Sequence, residues 1–125
     1  MKTTERLTKQ EFELALKGFI GTQQYWPHQF PGSKTLRLTD GCRFVREEAE
    51  ATWLFNAIAS LQSDERIQPH PFQMWQLKKW EDRWVLEFRR EDGEHVLSKI
   101  SNSDFPLDHI ELWVLDGIAL LPSEY

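Results

Sequence analysis

Cysteine occurs once in the 125 residues, at Cys42, so no disulfide can form within the chain and a stapled scaffold is excluded. No apolar run approaches membrane-spanning length, and the opening Met-Lys-Thr-Thr-Glu-Arg lacks the apolar stretch of a secretory signal. With the unpaired thiol, these absences give the expectation of a cytoplasmic protein that does not associate with membranes. Lys and Arg are missing beyond Lys99, whereas Asp104, Asp108, Glu111, Asp116 and Glu124 follow it, and the net charge is -5. An acidic chain repels phosphate backbones at long range, so nucleic acid is not an expected partner.

Glycine is scarce, and its positions remove several chemistries. Gly18, Gly21, Gly32, Gly41, Gly93 and Gly117 form no G-x-G-x-x-G turn, no G-x-S-x-G elbow and no G-x-x-x-x-G-K loop. The usual signatures of dinucleotide, serine-hydrolase and P-loop chemistry are therefore absent. His28, His70, His95, His109 and Cys42 show neither C-x-x-C nor H-x-x-x-H spacing. The Asn102, Asp104 and Asp108 group lacks the glycine and terminal glutamate of an EF-hand loop. No metal and no cofactor are expected.

Large rings are plentiful, with eight Phe, six Trp and two Tyr, and they must supply much of the buried area of a single domain spanning residues 1–125. Thr8 and Glu11 stand at capping-box spacing before Phe12, Leu16, Phe19 and Ile20, which predicts a helix over residues 8–20 ended by Gly21. Thr39 or Asp40 caps a second helical stretch, with a break near Ala49 before the amphipathic run Trp53, Leu54, Ala57, Ile58 and Leu61. Beyond Pro69 and Pro71 the apolar period shortens to two. Strands are expected at 72–79, 84–90, 95–100 and 110–115, with turns at Glu81-Asp82, Asp92-Gly93 and Asp116-Gly117 and a return through Ile118 to Leu121. A short strand at Leu36 to Leu38 also fits. The fold class is α+β, with two or three N-terminal helices packed on a four- or five-stranded antiparallel meander.

Three places could carry chemistry. Cys42 lies near a helix N-terminus with Arg43 and Arg46 close in sequence, but without an assignable His partner it reads as a small core residue. Trp75, Lys78, Lys79, Trp80, Arg83 and Trp84 resemble a stacking platform for single strands, yet Glu81, Asp82 and Glu87 cancel their field. The segment from Tyr25 to Pro31 gathers amphipathic rings and an imidazole on a loop stiffened by two prolines. It returns to the start of the second helical stretch, so Tyr25, Trp26, His28 and Asp40 form the candidate ligand- or partner-binding site. Core packing of the same rings is the competing explanation.

Several blocks resemble a known family. They are Phe19-Ile20-Gly21-Thr22 with Tyr25 and His28, then Thr39-Asp40-Gly41, then Trp53-Leu54 with Ala57-Ile58-Ala59-Ser60. Asp104-Phe105-Pro106-Leu107 and Asp116-Gly117 with Leu121-Pro122-Ser123-Glu124-Tyr125 complete the set. The resemblance is to small uncharacterised bacterial proteins that form a domain of unknown function, and it runs from about residue 7 to the C-terminus. It implies a bacterial, single-domain protein and carries over no catalytic residue.

These readings favour a cytoplasmic protein-interaction module that binds another protein, or itself as a homodimer, through exposed aromatic residues and a sheet edge. A small hydrolase or transferase is the alternative. It would use His28 with Asp40, or Asp104 with His109, as an acid–base pair.

Overall fold

Thr8 opens the first helix as the spacing predicts: its hydroxyl accepts the Glu11 N–H at 3.1 Å while the Glu11 carboxylate accepts the Thr8 N–H at 2.8 Å. The computed structural model describes residues 7–89, 95–101 and 105–125, the stretch 95–101 by its backbone. The expected turn at Asp92-Gly93, together with Asn102 and Asp104, lies outside the described residues. Helix α1 covers Lys9–Leu16 and buries only Phe12. It is shorter than expected. With so little buried, it gives way to i→i+3 bonds from Lys17, Gly18 and Phe19 well before Gly21.

Helix α2 spans Asp40–Glu48, and its N-cap is Thr39. Helix α3 spans Thr52–Leu61 and buries Leu54, Phe55, Ile58 and Ala59. The break expected near Ala49 is present, with Glu50 in the left-handed region at φ 50 between the two helices. Trp53 is half-buried against the core.

The strands are β1 at Trp26–His28, β2 at Leu36–Leu38, β3 at Phe72–Trp80, β4 at Arg83–Arg89, β5 at His95–Ser101, β6 at His109–Leu115 and β7 at Ile118–Leu120. They form one sheet in the order β1-β2-β7-β6-β3-β4-β5. This corrects the expected meander of four or five antiparallel strands: seven strands pair among the described residues, since Trp26–His28 and Leu36–Leu38 join the sheet, and two pairings differ. First, β6 pairs with β3 rather than with the strand before it. Second, β7 pairs in parallel with β2, through Arg37 with Ile118 and Leu38 with Ala119, so the sheet is mixed. The physical reason for the first lies in β6 itself, which is apolar on both faces at its C-terminal end and gains most from a central position.

Alternation divides the strands cleanly. Leu36, Leu38, Gln73, Trp75, Leu77, Trp84, Leu86, Phe88, Ile110, Leu112, Val114 and Ala119 are buried. They share one core with Phe12, Cys42, Val45, Leu54, Phe55 and Ile58 of the helices. Gln73 is one of two polar residues the strands bury on this face, His28 of β1 being the other. It exchanges two amide hydrogen bonds with Gln62 at 2.9 and 3.0 Å and accepts the Trp75 indole N–H at 2.9 Å, so its burial leaves no unmet donor or acceptor. The opposite face carries Phe72, Met74, Gln76, Lys78, Glu111, Trp113 and Leu115, and the helices do not pack on it.

Candidate functional site

The residues singled out in the sequence occupy three different environments. Asp40 is the first residue of α2, and its carboxylate faces back towards the aromatic loop. Oδ2 accepts the Gln23 N–H at 3.0 Å and Oδ1 accepts the Trp26 indole N–H at 3.0 Å. Those two donors, the backbone one foremost, hold the carboxyl below its ordinary range. The guanidinium of Arg43, one helical turn further on, lies 3.8 Å from the Trp26 ring centroid. The indole is thus fixed at its edge by Asp40 and on its face by Arg43. A surface cavity of about 550 Å³ opens beside this cluster, lined by Phe19, Asp40, Arg43, Phe44, Glu47 and Glu48.

His28 points into the core side of β1 and is only 5% exposed. Its Nδ1 lies 3.0 Å from Arg46 Nη1 and its Nε2 lies 2.8 Å from Asn56 Oδ1. Arginine can only donate, so Nδ1 accepts and the ring proton sits on Nε2, donated to Asn56. Burial, opposed by the Asn56 bond and reinforced by the Arg46 charge, lowers the imidazole pKa. The structure therefore pairs Asp40 with Trp26 and His28 with Arg46 and Asn56; it does not bring His28 and Asp40 together. Tyr25 lies elsewhere again. It is 48% exposed, with Arg37 of β2 stacked 5.7 Å from its centroid.

The N-terminus of α2, which would otherwise offer free N–H groups to an anion, is already filled by the chain itself. Glu124 Oε2 accepts the Gly41 N–H at 3.0 Å, while Oε1 accepts the Thr39 hydroxyl at 2.6 Å and the Leu121 N–H at 2.9 Å. The Asp40 N–H goes to Thr22 Oγ1 at 2.9 Å, and the Cys42 N–H goes to Thr39 Oγ1 at 3.3 Å. Ser123 Oγ donates to the Phe19 carbonyl at 2.7 Å. The Phe-Ile-Gly-Thr, Thr-Asp-Gly and Leu-Pro-Ser-Glu-Tyr blocks thus meet at one structural junction. A Cβ on Gly41 would stand 2.6 Å from both Glu124 Oε1 and Leu121 Cδ1, so those two side chains would have to move. Cys42 is fully buried behind the junction, where burial and the Glu124 carboxylate push its thiol far above the usual range.

Around the first hairpin, Trp75 and Trp84 both turn into the core and Trp80 is exposed. Lys78 pairs with Glu87 at 3.0 Å, so its charge is answered within the sheet. Among the described residues no group of three or more His, Cys, Asp or Glu side chains is placed to hold a metal ion. No helix among them is long and apolar enough to cross a membrane.

The opposite sheet face carries a cluster of half-buried rings. Register sets Phe72 beside Leu115 and Met74 beside Trp113. The Phe72 and Trp113 rings meet edge to face at 5.3 Å, and Tyr125 meets Trp113 at 5.4 Å. These residues line a shallow groove of about 470 Å³ with Met74 and Leu115. The Trp113 indole N–H is donated to Glu111 Oε2 at 2.6 Å, which fixes the ring on the face. On β2, Arg37 projects to this same side, opposite the buried Leu36 and Leu38, and carries Tyr25 with it. Nothing in the sequence spacing signals that Tyr25 and Tyr125 border this face.

No curated protein and no solved structure matches the chain. A family model does, over residues 10–125, and the chain belongs to that family of unknown function, DUF6876.

Proposed function

We propose that the chain is a protein-interaction module whose binding surface is the open face of the sheet. The observation that carries this reading is the run of rings on that face: Trp113, half-buried, touches both Phe72 and the exposed Tyr125, with the exposed Tyr25 at the margin. Trp, Tyr and Arg are the residue types that dominate binding energy at protein interfaces, and this face presents all three. A ring already held by a neighbour loses little freedom when a partner arrives, which favours association. The partner is another protein or a second copy of this chain, in the cytoplasm.

The sheet edge at β1 is a poorer surface. Pro27, its middle residue, has no N–H to offer an added strand. Of the two acid–base pairs of the alternative, His28 and Asp40 are hydrogen-bonded to different groups, and Asp104 with His109 involves a residue outside the described ones. A photo-crosslinking residue placed at Tyr25, Tyr125 or Ser60, an exposed position of α3 on the helical side, tests the proposal. Protein adducts from the first two positions and none from Ser60 are expected in cells producing the chain. Equal adducts from Ser60, or none from any position, would overturn it.

A further inference from the structure

We infer, resting on the reading of the open face as the binding surface, that its occupant is an acidic segment of another protein, apolar in its middle and carrying a carboxylate at each end. Charge and strand register together select this partner.

The face has the opposite charge to the chain. Arg37, Lys78, Arg83 and Arg89 project from it against Glu87 and Glu111, which gives +2 among the described residues with histidine counted neutral. The whole chain carries -5, so the residues off this set sum to -7. Glu87 lies 3.0 Å from Lys78 and 3.4 Å from Arg89, so one carboxylate faces two cations. An acidic partner is drawn to this face and repelled by the rest of the surface, which orients its approach. Two copies meeting face to face would instead set like charge against like.

Register places the cations. Pairing lines up Arg37, Ile118, Leu115 and Phe72 in one row across the sheet, and Leu120, Trp113, Met74 and Arg89 in the next. The two rows make an apolar band with Arg37 at its β2 end and Arg89 at its β4 end. Strands β7, β6 and β3 lie between those ends, so at about 4.8 Å per strand the band is on the order of 20 Å long. A segment that lays apolar side chains along the groove formed by Phe72, Met74, Trp113 and Leu115 brings its terminal carboxylates to the two arginines. Extended, it needs about six residues to do so.

Single-stranded nucleic acid suits the face less well. Stacked bases need an uncovered ring, whereas Trp113 is half-buried with Phe72 and Tyr125 against it edge to face. The adjoining row, Glu111, Gln76 and Glu87, would set two carboxylates against the phosphates.

NMR of the full chain, following the Trp113 indole N–H, tests the inference with three probes: the peptide Glu-Glu-Leu-Phe-Leu-Glu-Glu, the peptide Lys-Lys-Leu-Phe-Leu-Lys-Lys, and a thymidine oligonucleotide of about ten nucleotides. The acidic peptide is expected to bind roughly tenfold tighter than the basic one, and the difference should shrink as salt rises. Arg37→Glu combined with Arg83→Glu turns the described face from +2 to -2 and should reverse the preference, a gain that unfolding cannot imitate. Ser60→Glu, on the helical side, should leave it unchanged. Preference for the oligonucleotide overturns a protein occupant, and equal binding of the two peptides overturns selection by charge. Polymers of the native chain alone in sedimentation velocity would mean that the acidic side of another copy fills the face, which also overturns the inference. If no peptide binds while crosslinks at Tyr25 and Tyr125 still form, the acidic segment is overturned and the face remains a binding surface; if neither occurs, both readings fall.

Discussion

The carboxylate of Glu124 accepts the backbone N–H of Gly41 at 3.0 Å, so the helix α2 carries its counter-charge from a residue more than eighty positions away. The arrangement sits where the helix dipole is most positive and where a side chain on Gly41 has no room. Gly41→Ala is therefore expected to destabilise the fold by about 1–3 kcal/mol, because Glu124 and Leu121 must both give way. Glu124→Ala should cost a similar ~1–3 kcal/mol, since it strips partners from Gly41, Thr39 and Leu121 together. Urea unfolding of both variants checks this, and midpoints equal to that of the native chain would show that the junction is not structural.

His28 makes stability depend on pH in a defined window. Its folded pKa lies below the ordinary value of 6.5, so at pH values just under 6.5 the unfolded chain binds a proton that the folded chain resists. Stability is complete above that pH and declines as pH falls through it. The melting temperature should therefore drop between pH 6.5 and 5, before the depressed carboxyl of Asp40 begins to titrate. His28→Gln should flatten this segment of the profile while lowering the plateau. An unchanged slope in that variant would assign the effect to another group.

The Cys42 thiol should be silent in the folded protein. Burial keeps it protonated and out of reach, so a thiol reagent at neutral pH is expected to react only as fast as the chain unfolds. Full labelling under native conditions within minutes, with none lost on adding denaturant, would place the thiol at the surface instead.

Asp40→Ala should release the aromatic loop without unfolding the domain. It removes the acceptor for the Trp26 indole and for the Gln23 N–H at the start of that loop. A modest loss of stability is expected, because solvent competes for hydrogen bonds to an exposed carboxylate. The readout is faster hydrogen exchange at residues 22–28 with the far-UV spectrum intact. Protection unchanged from the native chain would mean that Arg43 alone holds the ring.

The parts of this fold that repeat a period were legible in the sequence, and the parts that depend on distant pairing were not. The Thr8 and Glu11 box, the break near Ala49, the amphipathic run of α3 and the β3–β4 hairpin each follow from residues within one helical turn or one strand length. Strands β1, β2 and β7 have three residues each, too few to show alternation, so the parallel pairing of Leu38 with Ala119 could not be read. The candidate site divides in the same way. Trp26 and Asp40 do meet, as a loop returning to a helix start suggests, but His28 is claimed by Arg46 and Asn56, polar residues whose direction depends on how two helices pack. The best-placed cap for α2 was invisible because Glu124 reaches it only through the fold.

Pairing β2 with β7 and α2 with Glu124 also sets an order of events during synthesis. Until residues 118–124 have been made, β2 has β1 on one side and an unfilled edge on the other, and the first turn of α2 lacks its carboxylate. Contacts that span most of the chain form slowly, since the intervening loop must close before they contribute. The N-terminal half therefore leaves the ribosome as an incomplete layer with an exposed strand, open to mispairing or to chaperones, and the sheet closes only when its last strand arrives.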